Sequence, residues 1–171
     1  IFQTIEFDYD IIKKQIRDRN RYNIVIHASA LPHGKGWSPT TWKILEGENE
    51  IPLTLFEAVD KVDAGDIYAT SAISLGGHEL IDEVREKEGR AIIDLALAFI
   101  DEHPRIVGRP QEGKETFYQK RRPEHSELDP GKPLKELFNQ LRVADNERYP
   151  AFFTHRGHTY ILKIYKKDNE K

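Results

Sequence analysis

The chain has 171 residues, of which 38% are hydrophobic and 32% charged, with a formal net charge of −3 and a pI of about 6.2. This composition fits a soluble globular protein of one domain with a small appendage, and its acidic balance argues against nucleic-acid binding as the main role. The absence of cysteine excludes disulfides and thiolate metal sites and agrees with a cytoplasmic protein. No apolar run approaches the roughly 20 residues that cross a bilayer, so no membrane partner is expected.

The first predicted strand leads into a loop and a helix. Asn23–His27 is a short, β-branched apolar run, which is typical of a buried strand. The segment 31–36 is rich in turn residues and predicts a loop. Ser38-Pro39 predicts a helix start, with Ser38 capping the free amides and Pro39 in the first turn, and we expect the helix to end at Gly47.

Two further strands and a long helix follow. Pro52–Val59 and Ile67–Leu75 alternate apolar and polar positions and predict strands, with Asp63–Asp66 as the turn between them. Glu79–Glu102 carries apolar residues at helical spacing and predicts one amphipathic helix. Strands interleaved with helices favour an α/β core.

The composition changes in the last third of the chain, where a charged, proline-bearing segment shows no periodicity. Beyond that segment, Leu134–Val143 predicts a short helix, and Ala151–Phe153 with Thr159–Tyr165 predicts a hairpin. No metal site is expected at the hairpin, because His155 and His158 have no acidic or cysteine partners at suitable spacing. We therefore predict three parts: a core over 1–118, a linker over 119–133 and a small C-terminal α+β extension over 134–171.

Two residues of the predicted core carry candidate chemistry. His27 ends a buried strand, where open α/β sheets place their ligands, and its imidazole can move a proton near neutral pH. Asp63 lies 36 residues downstream, at the end of another strand. If the two strands are neighbours, the carboxylate can orient the imidazole or position a water. The alternative is that His27 is structural and Asp63 belongs to an ordinary turn.

The pattern His-x-Ser-x-Leu-Pro-x-x-x-Gly from His27 to Gly36, followed by a helix and by Asp-x-Gly-x-Ile from Asp63 to Ile67, resembles the folate-dependent formyltransferases. These include enzymes that act on methionyl-tRNA, glycinamide ribonucleotide and nucleotide-linked amino sugars. The spacing between histidine and aspartate matches that family without a gap, and the resemblance runs from about Tyr22 to the C-terminus. It implies a Rossmann-like core.

The resemblance also implies roles for particular residues. His27 would support formyl transfer from 10-formyltetrahydrofolate to an amine, and Asp63 would help to move protons off the attacking nitrogen. The segment before the aspartate and the residue after the loop glycine would border the folate pocket. A flat pteridine needs backbone groups for its edges and apolar surface for its faces. The implied folate-binding residues are Trp37, Val59, Asp60, Lys61 and Val62.

The sequence departs from the family at one position of the first strand. The family has an asparagine two residues before the histidine, which donates to the formyl oxygen as charge develops, and this chain has Val25 there. Asn23 lies on the same strand face, about 6 to 7 Å from His27. Three explanations stay open: Asn23 substitutes in part, another residue supplies the donor, or catalysis is weak.

The start of the chain also departs from the family. Members carry earlier strands of the sheet before the histidine strand, and only Ile1–Arg21 precedes it here. The chain also contains no methionine. We therefore expect either that N-terminal strands are missing from this sequence or that methionines were dropped from it.

The acceptor is predicted from the second half of the chain. Thr116–Asp129 is similar to a tract of sugar-nucleotide formyltransferases, and Arg142 with Tyr149–Phe152 resembles the start of their C-terminal extension. The alternative for the basic tract is a solvated linker.

A diphosphate-bearing acceptor would need positive charge at the rim of the cleft. Lys35 is the preferred candidate, because eight residues separate it from His27, and Arg121 or Arg122 is the second choice.

The sequence thus predicts an N-formyltransferase that uses 10-formyltetrahydrofolate and acts on a nucleotide-linked amino sugar for a surface glycan such as lipopolysaccharide. The alternatives are a methionyl-tRNA or carrier-bound aminoacyl formyltransferase and a folate-binding module that has lost catalysis. The acidic net charge speaks against tRNA. The sequence is compatible with a homodimer.

Overall fold

The computed structural model describes residues 14–167, so the first thirteen residues of the predicted core and the last four of the predicted extension lie outside it. Among the described residues, no helix is both long and apolar enough to cross a membrane. The elements in chain order are α1 (Lys14–Arg17), β1 (Ile24–His27), β2 (Lys35–Gly36), α2 (Pro39–Leu45), β3 (Glu50–Glu57), β4 (Ile67–Ser74), α3 (Ile81–Glu102), β5 (Phe117–Tyr118), a 3-10 helix (Pro123–Ser126), α4 (Leu134–Arg142), β6 (Ala151–His155) and β7 (His158–Leu162).

The main sheet has the strand order β1-β3-β4, and both pairs are antiparallel. Its central strand, β3, is buried on both faces, because Leu53 and Leu55 pack on one side and Phe56 on the other. Helix α3 covers the first face with Val84, Leu95 and Phe99. Burying such side chains is the main favourable term in folding and fixes which face of β1 stays open.

The predicted helices and strands are confirmed with bounds that shift by about three residues or fewer. The predicted cap of α2 is wrong, because the Ser38 side chain makes no capping hydrogen bond. Ser38 has a left-handed backbone with φ of 52°, and its carbonyl accepts from the Trp42 amide instead. Pro39 carries no N–H, so the first turn has one fewer donor to satisfy.

The C-terminal elements pack on the core through a buried ion pair. The Arg142 guanidinium lies 3.6 Å from the Glu79 carboxylate, and both side chains are at most 2% exposed. Arg142 also donates to the Glu79 carbonyl and to Asn49 Oδ1. Burial raises the pKa of Glu79, but hydrogen bonds from the Gly76 amide and Lys87 outweigh it and hold the pKa far below its usual range.

The segment predicted as a linker, 119–133, takes part in this packing. Arg121, Ser126 and Leu128 are buried, and the Arg121 guanidinium donates to Ser126 Oγ at 3.0 Å. Leu128 joins the small apolar cluster of α4 and β6. A charged and aperiodic composition therefore does not keep this segment away from the core, and the division into three parts stays a prediction.

Asp145 connects the turn before β6 to α3. Its carboxylate accepts from the amides of Glu147 and Arg148 and from the Arg85 guanidinium at 2.8 to 3.0 Å. Burial raises the pKa of Asp145, but hydrogen bonds from the Arg148 amide, the Arg85 side chain and the Glu147 amide outweigh it and lower the pKa to about 2. The ionised carboxylate therefore stabilises the fold above its unfolded pKa of about 3.9, and this contribution is lost as pH falls towards 2.

We predict that Asp145→Asn lowers the free energy of unfolding by about 1 to 2 kcal/mol at pH 7, because the shift in pKa corresponds to about 2 kcal/mol. The variant should also lose less stability than the parent between pH 4 and pH 2. Urea denaturation across this pH range measures both effects. The matched control is Asp82→Asn, because Asp82 also pairs with Arg85 but its side chain is 91% exposed. This variant should change the free energy of unfolding by about 0.5 kcal/mol or less. Equal effects of the two variants would contradict the assignment.

Candidate active site

The two candidate catalytic residues reach each other because the β3–β4 connection folds back over the open face of β1. His27 ends β1, and Val25 points to the same face by two-residue alternation. The connection 58–66 crosses that face beside Val25 and Phe56, which brings Asp63 to the end of the strand. His27 Nε2 lies 3.8 Å from Asp63 Oδ2, and both side chains are nearly buried. The expected proximity is therefore observed.

One loop anchors both side chains. His27 Nε2 lies 2.9 Å from the Gly34 carbonyl oxygen, and since a carbonyl only accepts, the ring proton must lie on Nε2 for this bond. The Gly36 amide donates to Asp63 Oδ2 at 2.9 Å. The backbone of Gly34-Lys35-Gly36 thus sets the position of the imidazole and of the carboxylate at the same time.

The loop is itself held by a segment that the sequence did not reveal. The Gly34 amide donates to Thr116 Oγ1 at 2.8 Å, and β2 pairs in parallel with β5. Gly36 has a φ of 97°, and a Cβ there would lie 2.4 Å from the Tyr118 carbonyl oxygen. Only glycine fits this approach. Two-residue strands leave no periodic pattern, so nothing in the sequence predicts this pairing.

The turn that carries Asp63 is also tightly constrained. Asp63 has a left-handed φ of 49°. A Cβ on Gly65 would lie 1.7 Å from the Glu57 carbonyl oxygen, so the turn closes against β3. The Gln111 side-chain amide donates to the carbonyl oxygens of Asp63 and Gly65. Gln111 was missed because a glutamine in an aperiodic segment carries no signal of its own.

A pocket of about 110 Å³ opens beside Asp63. Its lining residues are Val25, Phe56, Ala58, Val59, Lys61, Val62 and Asp63. Three of the five predicted folate-binding residues, Val59, Lys61 and Val62, therefore line it. Val59 and Val62 are 37% and 40% exposed, which leaves apolar surface available to a ligand.

The other two predicted folate-binding residues do not line the pocket. The Asp60 carboxylate forms an ion pair with the Arg17 guanidinium. Trp37 follows the loop glycine and is 46% exposed, with its backbone amide donating to the Tyr118 carbonyl. Their part in folate binding stays a prediction.

The expected rim position of Lys35 is wrong. Its side chain is 1% exposed, and its ammonium donates to Glu115 at 2.7 Å. Glu115 also accepts from Lys61 at 2.9 Å, and hydrogen bonds from Lys35 and Lys61 lower the pKa of Glu115. Lys35 packs inward because the flanking glycines turn the loop against the segment before β5. Glu115 thus connects Lys35, in the loop 31–36, to Lys61, in the β3–β4 connection.

The two arginines considered with Lys35 differ in position. Arg121 is buried and donates to Ser126 and to backbone carbonyls, so the expected rim position is wrong for it as well. Burial lowers the pKa of the Arg121 guanidinium. The Arg122 side chain is exposed, near Glu124.

The place of the family's asparagine is apolar in this chain. Val25 lines the pocket, opposite Phe56 in the register of β1 and β3. The Asn23 side-chain amide donates to the Arg17 carbonyl at 3.1 Å, so it is turned away from His27. The structure therefore gives no support to Asn23 as the substitute donor.

Comparison with known proteins agrees with this geometry. A family model described as formyl transferase matches residues 10–94. The methionyl-tRNA formyltransferase of Streptococcus pneumoniae strain Hungary19A-6 is 29% identical over 136 residues, which cover 77% of this chain and 43% of that protein. The family match covers just under half of the chain, and the chain is similar to the folate-dependent formyltransferases. It spans less than half the length of the curated formyltransferase that it matches.

Solved formyltransferase structures share the fold. The methionyl-tRNA formyltransferase of Clostridium thermocellum is 27% identical, with a TM-score of 0.77 over 95% of this chain and 70% of that one. A 4-N formyltransferase of Francisella tularensis is 18% identical, with a TM-score of 0.64 over 86% of this chain and 64% of that one. The expected fold class is thus confirmed: the chain has part of the Rossmann-like formyltransferase fold.

We predict that Gly65→Ala destabilises the formyltransferase fold by about 2 kcal/mol or more, because the added methyl overlaps backbone that cannot move independently. Thermal or urea unfolding measures the change. Gly89→Ala is the matched control, since it lies inside α3 with nothing within 4 Å of the new carbon. That variant should gain about 0.5 to 1 kcal/mol from helix propensity. A neutral Gly65→Ala would show that the turn is not closed against β3 as described.

Proposed function

We propose that this protein is an N-formyltransferase that transfers the formyl group of 10-formyltetrahydrofolate to a primary amine. The observation that carries the proposal is the pair of His27 and Asp63, 3.8 Å apart beside an apolar pocket. The similarity to folate-dependent formyltransferases supports the same reaction class and the same one-carbon donor. Activity of the whole protein rests on this proposal, because the chain spans only part of its relatives.

The pocket fits one end of a reduced folate. Val59 and Val62 offer apolar surface to the face of a flat ring, and Phe56 forms part of the wall. Its volume is below the roughly 300 Å³ at which pockets for drug-sized ligands begin, so it suits one ring system rather than a complete folate. When bound there, 10-formyltetrahydrofolate would supply the formyl carbon.

His27 and Asp63 would share the proton movements of the reaction. Formylation makes an N–C bond to the acceptor amine and breaks the N–C bond to the donor, and the proton that the amine loses is gained by the donor nitrogen of the released tetrahydrofolate. The His27 N–H at Nε2 donates to the Gly34 carbonyl, and it can donate instead to a substrate oxygen that gains negative charge. The Asp63 carboxylate is held by the Gly36 amide, so it can receive or relay the amine proton at a fixed place.

We predict that His27→Ala lowers kcat/KM for formyl transfer at least about a hundredfold, because a positioned acid–base group is lost. Asp63→Asn should cause a loss of the same order. Formylated product is measured by mass spectrometry on the full-length protein. His33→Ala is the matched control, because this histidine lies exposed in the same loop. Near-full activity of His27→Ala would contradict the assignment of His27 as a catalytic residue.

For the acceptor, the proposal is the amine of a nucleotide-linked amino sugar. The net charge of −3 is unfavourable for tRNA, and the tract Thr116–Asp129 is similar to sugar-nucleotide formyltransferases. Lys61 lines the pocket and has a 64% exposed side chain, and we propose that it attracts a diphosphate in competition with its ion pair to Glu115.

The second candidate acceptor is methionyl-tRNA. It is favoured by the names of the curated relative at 29% identity and of the C. thermocellum structure, both methionyl-tRNA formyltransferases. Binding to tRNA depends on phosphate contacts and weakens steeply with salt, whereas binding of one diphosphate weakens much less.

We expect a nucleotide-linked amino sugar to give a kcat/KM at least about tenfold above that of methionyl-tRNA when both are offered with the same formyl donor. The two acceptors are compared on the full-length protein at low and at moderate salt. Deacylated tRNA and an N-acetylated sugar nucleotide serve as controls without a free amine. A reversed preference with a steep salt dependence would make methionyl-tRNA the acceptor.

A further inference from the structure

The side chain of Gln111 holds the backbone of the aspartate turn, residues 63–65, through two hydrogen bonds. Gln111 Nε2 donates to the Asp63 carbonyl at 3.0 Å and to the Gly65 carbonyl at 2.9 Å. Its Oε1 is buried and has no hydrogen-bond partner within residues 14–167. The amide group therefore acts here only as a double donor. A carboxylate of the same shape would bring negative charge against two carbonyl oxygens.

The position of Gln111 is fixed by the strand-like segment before it. The backbones of Ile67 and Arg109 exchange two hydrogen bonds of 2.8 and 2.9 Å, which pair the first residue of β4 with this segment in one antiparallel bridge. At Gly108, a Cβ would lie 2.8 Å from Asp66 Cβ, so the segment passes directly against the turn. Gln111 follows two residues after the bridge and reaches the turn from this fixed backbone.

The turn needs such a restraint because Asp63 has an unfavourable backbone. A non-glycine residue with a left-handed φ costs about 1 to 2 kcal/mol unless its surroundings hold it. If the turn relaxed, the carboxylate would leave the Gly36 amide and move relative to His27. The two carbonyls that accept from Gln111, those of Asp63 and Gly65, flank Ala64 and hold the backbone directly after Asp63, where this relaxation would spread.

We infer that Gln111 is a positioning residue for formyl transfer: by holding the turn 63–65, it keeps the Asp63 carboxylate beside His27. This inference rests on the proposed function for its catalytic consequence and on the hydrogen bonds alone for its structural one. Gln111 is not expected to touch either substrate, since it is not among the residues that line the pocket.

The test compares Gln111→Glu and Gln111→Met on the full-length protein. Both variants remove the two donors while keeping the length of the side chain. We expect kcat to fall at least about tenfold, with KM for donor and acceptor changing less than about threefold, because the acid–base geometry is disturbed and the binding surface is not. The deficit of Gln111→Glu should shrink as pH falls, since a protonated carboxyl regains one donor, and that of Gln111→Met should not.

A second readout does not require activity. The Gly36 amide donates to Asp63 Oδ2, so its NMR shift and its hydrogen-exchange protection report on the carboxylate directly. We expect both to change in each Gln111 variant. Gln140→Glu is the matched control, because Gln140 Nε2 also donates to a backbone carbonyl, that of Glu127, but lies in α4 outside the site.

The outcomes separate the two claims. An unchanged Gly36 amide in both Gln111 variants would overturn the positioning role. Equal losses in kcat and in substrate affinity without a change at that amide would do the same. If the parent protein transfers no formyl group, the proposed function fails, and the Gly36 readout still decides whether Gln111 holds Asp63.

Discussion

The candidate site depends on two backbone groups of one short loop, Gly34-Lys35-Gly36. The carbonyl at its start accepts from His27, and the amide at its end donates to Asp63. Residues that are 36 positions apart in the sequence are thereby placed by the same few peptide units. Gly36 is required because its backbone lies against the Tyr118 carbonyl, so the chemistry of the site is coupled to a segment more than eighty residues downstream.

The sequence predicts the parts of this structure that depend on local pattern. The apolar run of β1, the alternation of β3 and β4 and the helical spacing of α3 each bury enough side-chain surface to specify their own conformation. The spacing of His27 and Asp63 also predicts their proximity, through the family resemblance, and the structure shows it. Their catalytic roles remain proposals.

The features that the sequence does not predict are those decided by tertiary contacts. Lys35 follows a loop histidine and would be expected in solvent, yet it is buried against Glu115 because the glycines on both sides turn it inward. Ser38 has the right residue type for a cap, but its left-handed backbone turns the hydroxyl away. Gln111 becomes important only because a bridge to β4 brings it under the aspartate turn.

We propose that the loop 34–36 and the turn 63–65 place a pair of proton-transferring side chains beside a pocket for one ring system of a reduced folate. The most direct test supplies the full-length protein with 10-formyltetrahydrofolate carrying ¹³C in the formyl group and follows the label by NMR in the presence of an amine acceptor. We expect the label to appear as an N-formyl amide of the acceptor, and we expect Asp63→Asn to delay its appearance. Release of the label only as free formate, with no acceptor formylated, would contradict it.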